Sequence, residues 1–315
     1  MSAGRRPAPW RLATLWTAAV LVYLMWPAAA RAQGEGARAY ELAPAGSQAI
    51  NVYGLIGSGN SSFDPGAGVL GAVDADLYGS IIEYVRGFTV AGNAGSLIVS
   101  LPFGEARRSV ESGQTVARSG LGDMQLTAAF GLLGSPALSE KEYEAYHPRV
   151  GLSLLTRLYI PTGAYSPNSP VNLGQNRWAL QLGLPCAYYL GESLSDPSLT
   201  SFEFIPSVIW YGDNTEPPSG NRSTEAPLLQ LEGHITRNLN PSIWLSLDAL
   251  FVQGGETTTD GVSDHNRQRS FSVGVTASVA LSDAVSATLS YTGEASRNDE
   301  GLRGHAIRLI AEFSL

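Results

Sequence analysis

The sequence predicts an all-β protein, a single transmembrane antiparallel β-barrel of about twelve strands that follows a cleaved signal peptide. Three observations predict it. A basic N-terminus is followed by one uncharged apolar run, Leu12 to Trp26. Beyond residue 33 no apolar run reaches the ~18 residues of a spanning helix, while segment after segment alternates apolar with small or polar residues. And the chain carries a single lysine, Lys141, whereas a sheet whose outer face met water would show Lys and Glu along it.

The leader comes first. Arg5, Arg6 and Arg11 form its positive region, and Ala30-Arg31-Ala32 gives a small-residue cleavage site with Gln33 as the new N-terminus. The apolar run is shorter than a spanning helix needs. Pro7 after Arg5-Arg6 breaks a twin-arginine pattern, and no cysteine follows the cleavage site to take a lipid. Cleavage removes four of the 20 Lys+Arg and none of the 28 Asp+Glu, which leaves 16 bases against 28 acids, a net charge of −12.

Composition narrows the remainder. Hydrophobic residues make up 44% and charged residues 15%, too apolar for a disordered chain. The acidic balance argues against a nucleic-acid partner bound through a basic face. One cysteine, Cys186, excludes an internal disulfide framework and any cysteine-rich metal cluster.

The strands follow in order. Stretches of about 9–15 residues, bounded by Gly, Pro, Asn, Ser and Asp clusters, place them at 48–58, 74–90, 95–103, 120–133, 148–160, 174–190, 200–213, 226–238, 241–255, 269–281, 284–296 and 302–315. The alternation is plainest near the C-terminus. Phe271, Val273, Val275, Ala277, Val279 and Leu281 share one face, and Ser272, Gly274, Thr276, Ser278 and Ala280 the other. Ile243, Leu245, Leu247, Ala249 and Phe251 alternate with Trp244, Ser246, Asp248 and Leu250. In the last strand Ile307, Leu309, Ala311 and Phe313 stand opposite Arg308, Ile310 and Glu312, ending close to the aromatic terminus typical of outer-membrane strands. Polar faces of Ser, Thr and Gly suit a lumen, and apolar faces suit lipid.

The connections 91–94, 239–240 and 282–283 are short, with 134–147 and 191–199 longer on the same side. Those at 59–73, 104–119, 161–173, 214–225, 256–268 and 297–301 form the other set, and in such barrels the longer loops face outward. An even strand count puts both termini on the short-turn side. The expected organisation is a signal peptide at 1–32, a periplasmic N-terminal segment at 33–47 and an outer-membrane barrel at 48–315, in a Gram-negative bacterium.

Strand parity then selects the lumen. Asp123, Gln125, Arg149, Arg157, Arg177, Glu203, Glu232, His234, Asp248, Arg308 and Glu312 fall on inward positions. The expected solute path runs past Arg157, Arg177, Glu232, Asp248 and Arg308, charges that could select in a pore. The same charges could instead pair into a static network that fills the lumen. Glu83 and Arg86 have opposite parity, so one faces outward unless a bulge intervenes. Parity sends Trp244 and Tyr159 inward, whereas some of Trp178, Trp210, Tyr211, Tyr188, Tyr189 and Tyr291 suit interfacial belts.

The sequence shows no catalytic constellation. His147, His234, His265 and His305 form no metal-binding pair at helical spacing, and no glycine-rich phosphate loop opens a βα unit. A lipid-facing hydrolase would need a serine and an asparagine beside His305 at the outer rim, but Ser278 and Ser290 have inward parity. No cofactor and no metal is expected, and the reading is that the protein is not an enzyme.

Several motifs carry a resemblance. They are Arg38-Ala39-Tyr40-Glu41-Leu42-Ala43-Pro44-Ala45-Gly46, Leu101-Pro102-Phe103-Gly104, Gly120-Leu121-Gly122-Asp123, Gly134-Ser135-Pro136-Ala137-Leu138, Pro161-Thr162-Gly163-Ala164-Tyr165, and Asn172-Leu173-Gly174-Gln175-Asn176-Arg177-Trp178, with Gly254-Gly255 and Asp260-Gly261. From about Ala39 to its end the chain resembles the outer-membrane family labelled Putative MetA-pathway of phenol degradation. The resemblance implies an outer-membrane barrel that handles aromatic or other hydrophobic compounds, and it brings no catalytic residues. Its expected partners are outer-membrane lipid, a small-molecule solute and the outer-membrane assembly machinery. The first reading is a transporter-like channel for small aromatic or hydrophobic solutes. The alternatives are a plugged structural or surface-binding barrel and a membrane-embedded hydrolase.

Overall fold

The computed structural model describes residues 34–41, 43–60, 75–109, 114–194 and 196–315. The expected signal peptide, residues 1–32, lies outside them. No helix among the described residues is long and apolar enough to cross a membrane. The chain crosses with strands.

The first three strands are β1 (Gln48–Gly59), β2 (Ala75–Val90) and β3 (Asn93–Ser109). The fourth comes in two pieces, β4 (Thr115–Leu121) and β5 (Met124–Leu133), both paired with β3. After a short helix, α1 (Glu140–Glu144), come β6 (Val150–Ile160), a second divided strand of β7 (Ala179–Gly183) and β8 (Cys186–Leu190), and β9 (Thr200–Tyr211). An outer loop contributes β10 (Ser223–Glu225). The wall resumes with β11 (Leu228–Asn240) and β12 (Ile243–Gly254), the outer hairpin β13 (Thr257–Thr259) and β14 (Val262–Ser263) intervenes, and β15 (Gln268–Ser282), β16 (Val285–Arg297) and β17 (Gly304–Ser314) follow. Counting each divided strand once gives twelve antiparallel wall strands, and pairing of β1 with β17 closes the ring. Closure leaves no unpaired edge, which a sheet in lipid requires.

The outer face is apolar along each strand. Leu245 and Leu247 on β12, Phe271 and Val273 on β15, and Ile307 and Leu309 on β17 are exposed, while Ser246, Ser272 and Ser278 on the same strands are buried in the lumen. Trp178, Trp210 and Tyr188 are exposed near strand ends, the position of interfacial belts. The chain's lysine, Lys141, lies exposed on α1, off the wall. On β2 the register with both neighbours is unbroken. Glu83 therefore faces inward, where it accepts hydrogen bonds from Tyr53 Oη (2.6 Å) and Ser100 Oγ (2.7 Å), and Arg86 is exposed outside.

Three boundaries differ from expectation. The stretch 104–119, expected as a loop, is mostly strand, because β3 runs 17 residues and β4 pairs with its outer half. About 9–11 residues cross the membrane, so this hairpin stands above it. The strand expected to begin at 174 begins at Ala179, and Val171 and Leu173 of the loop before it pack into the barrel instead. The connection 134–147 holds α1, where Ser139 N donates to the Glu142 carboxylate at 2.9 Å.

Both interruptions of the wall have a local cause. Pro185 has no N–H and divides β7 from β8. Pro102 sits within β3, and there Leu101 and Pro102 face three residues, Gly122 to Met124, between the pairs Phe103–Leu121 and Ser100–Gln125.

Candidate functional site: the barrel lumen

The inward side chains form layers. In the outer half two apolar clusters stand among polar side chains such as Gln230, Gln268 and Ser270. Tyr159, Ala179, Ile209, Leu228, Leu250, Val252 and Leu302 make one buried cluster. Leu55, Leu77 and Ala106 make another, with Val171 and Leu173 brought in by the loop 161–178. That loop is tied down at the wall interruption. Asp123 accepts from Gly163 N and Gln175 N, both at 2.8 Å. The two loop arms touch there, and a Cβ on Gly163 would stand 2.6 Å from Gly174 Cα and 2.8 Å from Asp123 Oδ1. Only glycine permits that approach. Four of the motifs that carry the family resemblance thus meet at one place in the wall.

The middle layer is charged and filled. Residues 34–41 run inside the barrel. Arg157 of β6 donates twice to Glu35, Nη1 to Oε1 and Nη2 to Oε2, each at 2.7 Å, and Nε donates to Thr127 Oγ1. Glu232 of β11 accepts from Glu35 N and Gly36 N at 2.8 Å. Arg308 of β17 donates to the carbonyls of Gly34 and Glu35. Arg38 donates to Thr236 and Asn238, its backbone N–H donates to Glu203, and its guanidinium lies 4.9 Å from the Trp244 ring centroid. The fifth and twelfth wall strands, which carry Arg157 and Arg308, are nearly opposite, so the segment bridges the lumen.

His234 completes this layer. Its Nδ1 lies 2.7 Å from Asp248 Oδ1 and its Nε2 lies 2.9 Å from Glu232 Oε1. Both ring nitrogens face carboxylates, the arrangement of an imidazolium that donates twice. Arg157 is then paired with Glu35, and His234 with Glu232 and Asp248, while Arg308 meets only backbone carbonyls. Buried charges persist when paired in this way.

The periplasmic layer is rich in tyrosine. Tyr40, Tyr143, Tyr146 and Tyr189 line a cleft with Glu41, Glu203 and Ile205. Burial raises the Glu41 carboxyl, against the opposing pull of Arg38.

The family is decided by a sequence match. A model of the family described as Putative MetA-pathway of phenol degradation matches residues 56–308. The chain belongs to this family. No curated protein matches it. Among solved structures, the COG4313 outer membrane channel from Pseudomonas putida F1 aligns over 89% of this chain and 99% of its own, with 20% identity and a TM-score of 0.73. The β domain of the Bordetella autotransporter BrkA aligns over 86% and 100%, with 14% identity and a TM-score of 0.49. The first likeness is one of fold, and with the apolar belt it places this family member in the bacterial outer membrane.

In this family member Arg157, Glu232, Asp248 and Arg308 all lie in the middle layer. Arg177 lies apart from them at the outer mouth, where Nη1 donates to Glu225 at 3.0 Å. Burial raises Glu225 to about 7, against the pull of Arg177. Glu203 faces inward beside Arg38. Arg149 and Glu312 are exposed at the periplasmic end, where the wall gives way to solvent. His305 stacks on Tyr291 at 6.5 Å on the outer face, while Ser290 and Ser278 are buried on the lumen side. Among the described residues no group of three or more His, Cys, Asp and Glu side chains could hold a metal ion.

Sequence reasoning missed the partners from the N-terminal segment. Residues 33–47 were expected as a periplasmic N-terminal segment, with their insertion into the barrel left open, and the contacts at 34–41 are to residues about 120 to 270 positions away in the chain. The inward set holds four arginines against five carboxylates, so its charge balance gave no sign that Glu35 was needed.

Proposed function

We propose that this barrel is an outer-membrane channel for small hydrophobic solutes, aromatic ones included. One observation carries the reading. Two clusters of buried Leu, Ile, Val and Ala side chains face the outer half of the lumen beside polar ones such as Gln230 and Ser270, where a water-filled pore would present polar side chains throughout. An apolar solute gains by leaving water for such a lining. The charged middle layer opposes its axial passage, since the solute would have to displace a paired network. The interruption at Pro102 and Gly122–Asp123 supplies another exit. The wall there lacks a regular ladder, and Leu173 of the apolar layer packs beside it, its carbonyl 3.6 Å from the place of a Cβ on Gly122.

The test is accumulation of a labelled apolar aromatic at low concentration in cells with and without the gene. Barrel-dependent accumulation, with no such dependence for a sugar of similar size, supports the reading. Equal accumulation with and without the barrel overturns it. The charged network favours a second reading, a permanently closed structural barrel. That reading expects the second result.

A further inference from the structure

We infer that the tyrosine-lined cleft at the periplasmic end of the lumen is a binding site for a small organic cation, whose guanidinium or ammonium head sits between Glu41 and Glu203. The inference goes beyond the channel reading and does not rest on it. It concerns the other end of the lumen and a charged ligand in place of an apolar one.

Four elements build the cleft. The N-terminal segment supplies Tyr40 and Glu41, α1 and the turn after it supply Tyr143 and Tyr146, β8 supplies Tyr189 and β9 supplies Glu203. Ala45 N donates to Leu138 O at 2.8 Å, which ties the segment to the connection that carries α1. Among the described residues that line the cleft two are carboxylates and none is basic. The neighbouring cation, Arg38, is engaged elsewhere. Its guanidinium lies over Trp244 and donates to Thr236 and Asn238, and its Nε is 3.8 Å from Glu41 Oε2, beyond hydrogen-bond reach. Glu41 accepts instead from the Tyr143 hydroxyl. Glu203 is held by neutral donors, Arg38 N at 2.8 Å and Ser201 Oγ at 2.6 Å. One guanidinium thus stands beside two carboxylates, and the cleft is short of one positive charge.

The rings decide which cation suits it. Tyrosine attracts a cation through its ring quadrupole, and an organic cation sheds less hydration on entry than a compact metal ion does. The cavity measures about 50 Å³. A water needs about 10–15 Å³ by the same measure, so there is room for a head of about four heavy atoms, the size of a guanidinium. The planar guanidinium fork donates to carboxylates and stacks on aromatic rings. The cleft is open on one side, so an alkyl chain on the head can extend out of it. A neutral solute of the same shape leaves the carboxylates uncompensated, and an anion adds to them.

The experiment uses the full mature chain in lipid nanodiscs at about 150 mM NaCl, which screens exposed charges. Ligand-observed NMR titration compares methylguanidinium with N-methylurea, its neutral isostere, against empty nanodiscs. Heat-modifiable migration on SDS gels verifies folding. Methylguanidinium should bind saturably and at least about tenfold more tightly than N-methylurea, the worth of one charge-assisted hydrogen bond. Glu41→Gln leaves Arg38 on Thr236 and Asn238, and should weaken methylguanidinium by about tenfold while N-methylurea is unaffected. Tyr189→Leu should weaken it by about threefold, the size of one cation–π contact. Asp283→Asn, an exposed carboxylate in a turn at the same end of the barrel, should change nothing. Equal binding of the two ligands by the wild type overturns the inference. So does methylguanidinium binding left unchanged in the folded double change Glu41→Gln with Glu203→Gln, or weakened as much by Asp283→Asn. Each of these results leaves the channel reading standing, because neither ligand is an apolar solute.

Discussion

Replacing Glu35 with alanine should unseat the segment that bridges the lumen. Arg157 is 7% exposed, and Glu35 holds it through two parallel hydrogen bonds of 2.7 Å. Truncating Glu35 leaves that guanidinium with Thr127 and Tyr40 alone. Breaking a buried pair in this way costs about 3–5 kcal/mol. At 1.4 kcal/mol per factor of ten, the displaced form should become about 10²- to 10³-fold more populated. Single-channel recording in planar bilayers reads this directly. The wild type should show rare, small steps, and Glu35→Ala frequent and larger ones. A double change, Glu35→Leu with Arg157→Met, removes both charges. Buried ion pairs are often replaced by apolar side chains with little loss, so the double variant should return toward wild-type silence. Conductance in Glu35→Ala indistinguishable from wild type would refute the argument that this ion pair holds the lumen closed.

Three further outcomes follow from the same structure. Leu247 is 63% exposed midway along β12, so Leu247→Arg should cost about 2–4 kcal/mol of folding stability in lipid vesicles, measured by reversible denaturant unfolding, while Ser246→Ala on the lumen side should cost far less. Gly163→Ala forces a Cβ to within 2.6 Å of Gly174 Cα, which should free the loop 161–178 and raise its hydrogen exchange; unchanged protection would mean that Asp123 does not pin it. Glu225 is raised by burial to about 7 from 4.5, so the unfolded state sheds its proton first as pH rises. Its contribution to the closed outer loop is then fullest below about 4.5 and falls by roughly 3 kcal/mol as pH climbs to about 7. The hydrogen-exchange protection factors of residues 212–227, which correct for the intrinsic pH dependence, should fall across that window in the wild type and stay level in Glu225→Gln.

Much of the wall was legible because period-two alternation reports burial on one face of each strand, and lipid makes the reverse face apolar as well. The Ser-rich row from Ser272 to Ser278 and the leucines at 245 and 247 could be assigned without any knowledge of neighbours. Length was harder to read. The hairpin of β3 and β4 rises above the membrane, where Glu105, Arg107 and Ser119 can face water and bond to one another, so its composition resembles a loop. The breaks at Pro102 and Pro185 were visible as prolines, but their consequence depends on which residue stands opposite. The lumen was legible by residue and opaque by partner. Parity places Arg157, Glu232 and Arg308 inward, yet nothing local in β6, β11 or β17 names Glu35 as the group that joins them.

That asymmetry bears on how such a barrel can be both closed and a conduit. The buried ion pairs of the middle layer, Arg157 with Glu35 and His234 with Glu232 and Asp248, are stable only while each partner is present, because removing one leaves a buried charge unpaired. Closure of that layer is therefore close to all-or-none for water and ions. The apolar layer above has no such requirement. Leu228, Leu250 and Val252 gain from any apolar surface laid against them, whichever solute supplies it. On the channel reading, the charged layer would oppose leakage, and the apolar clusters above it would meet what enters from outside.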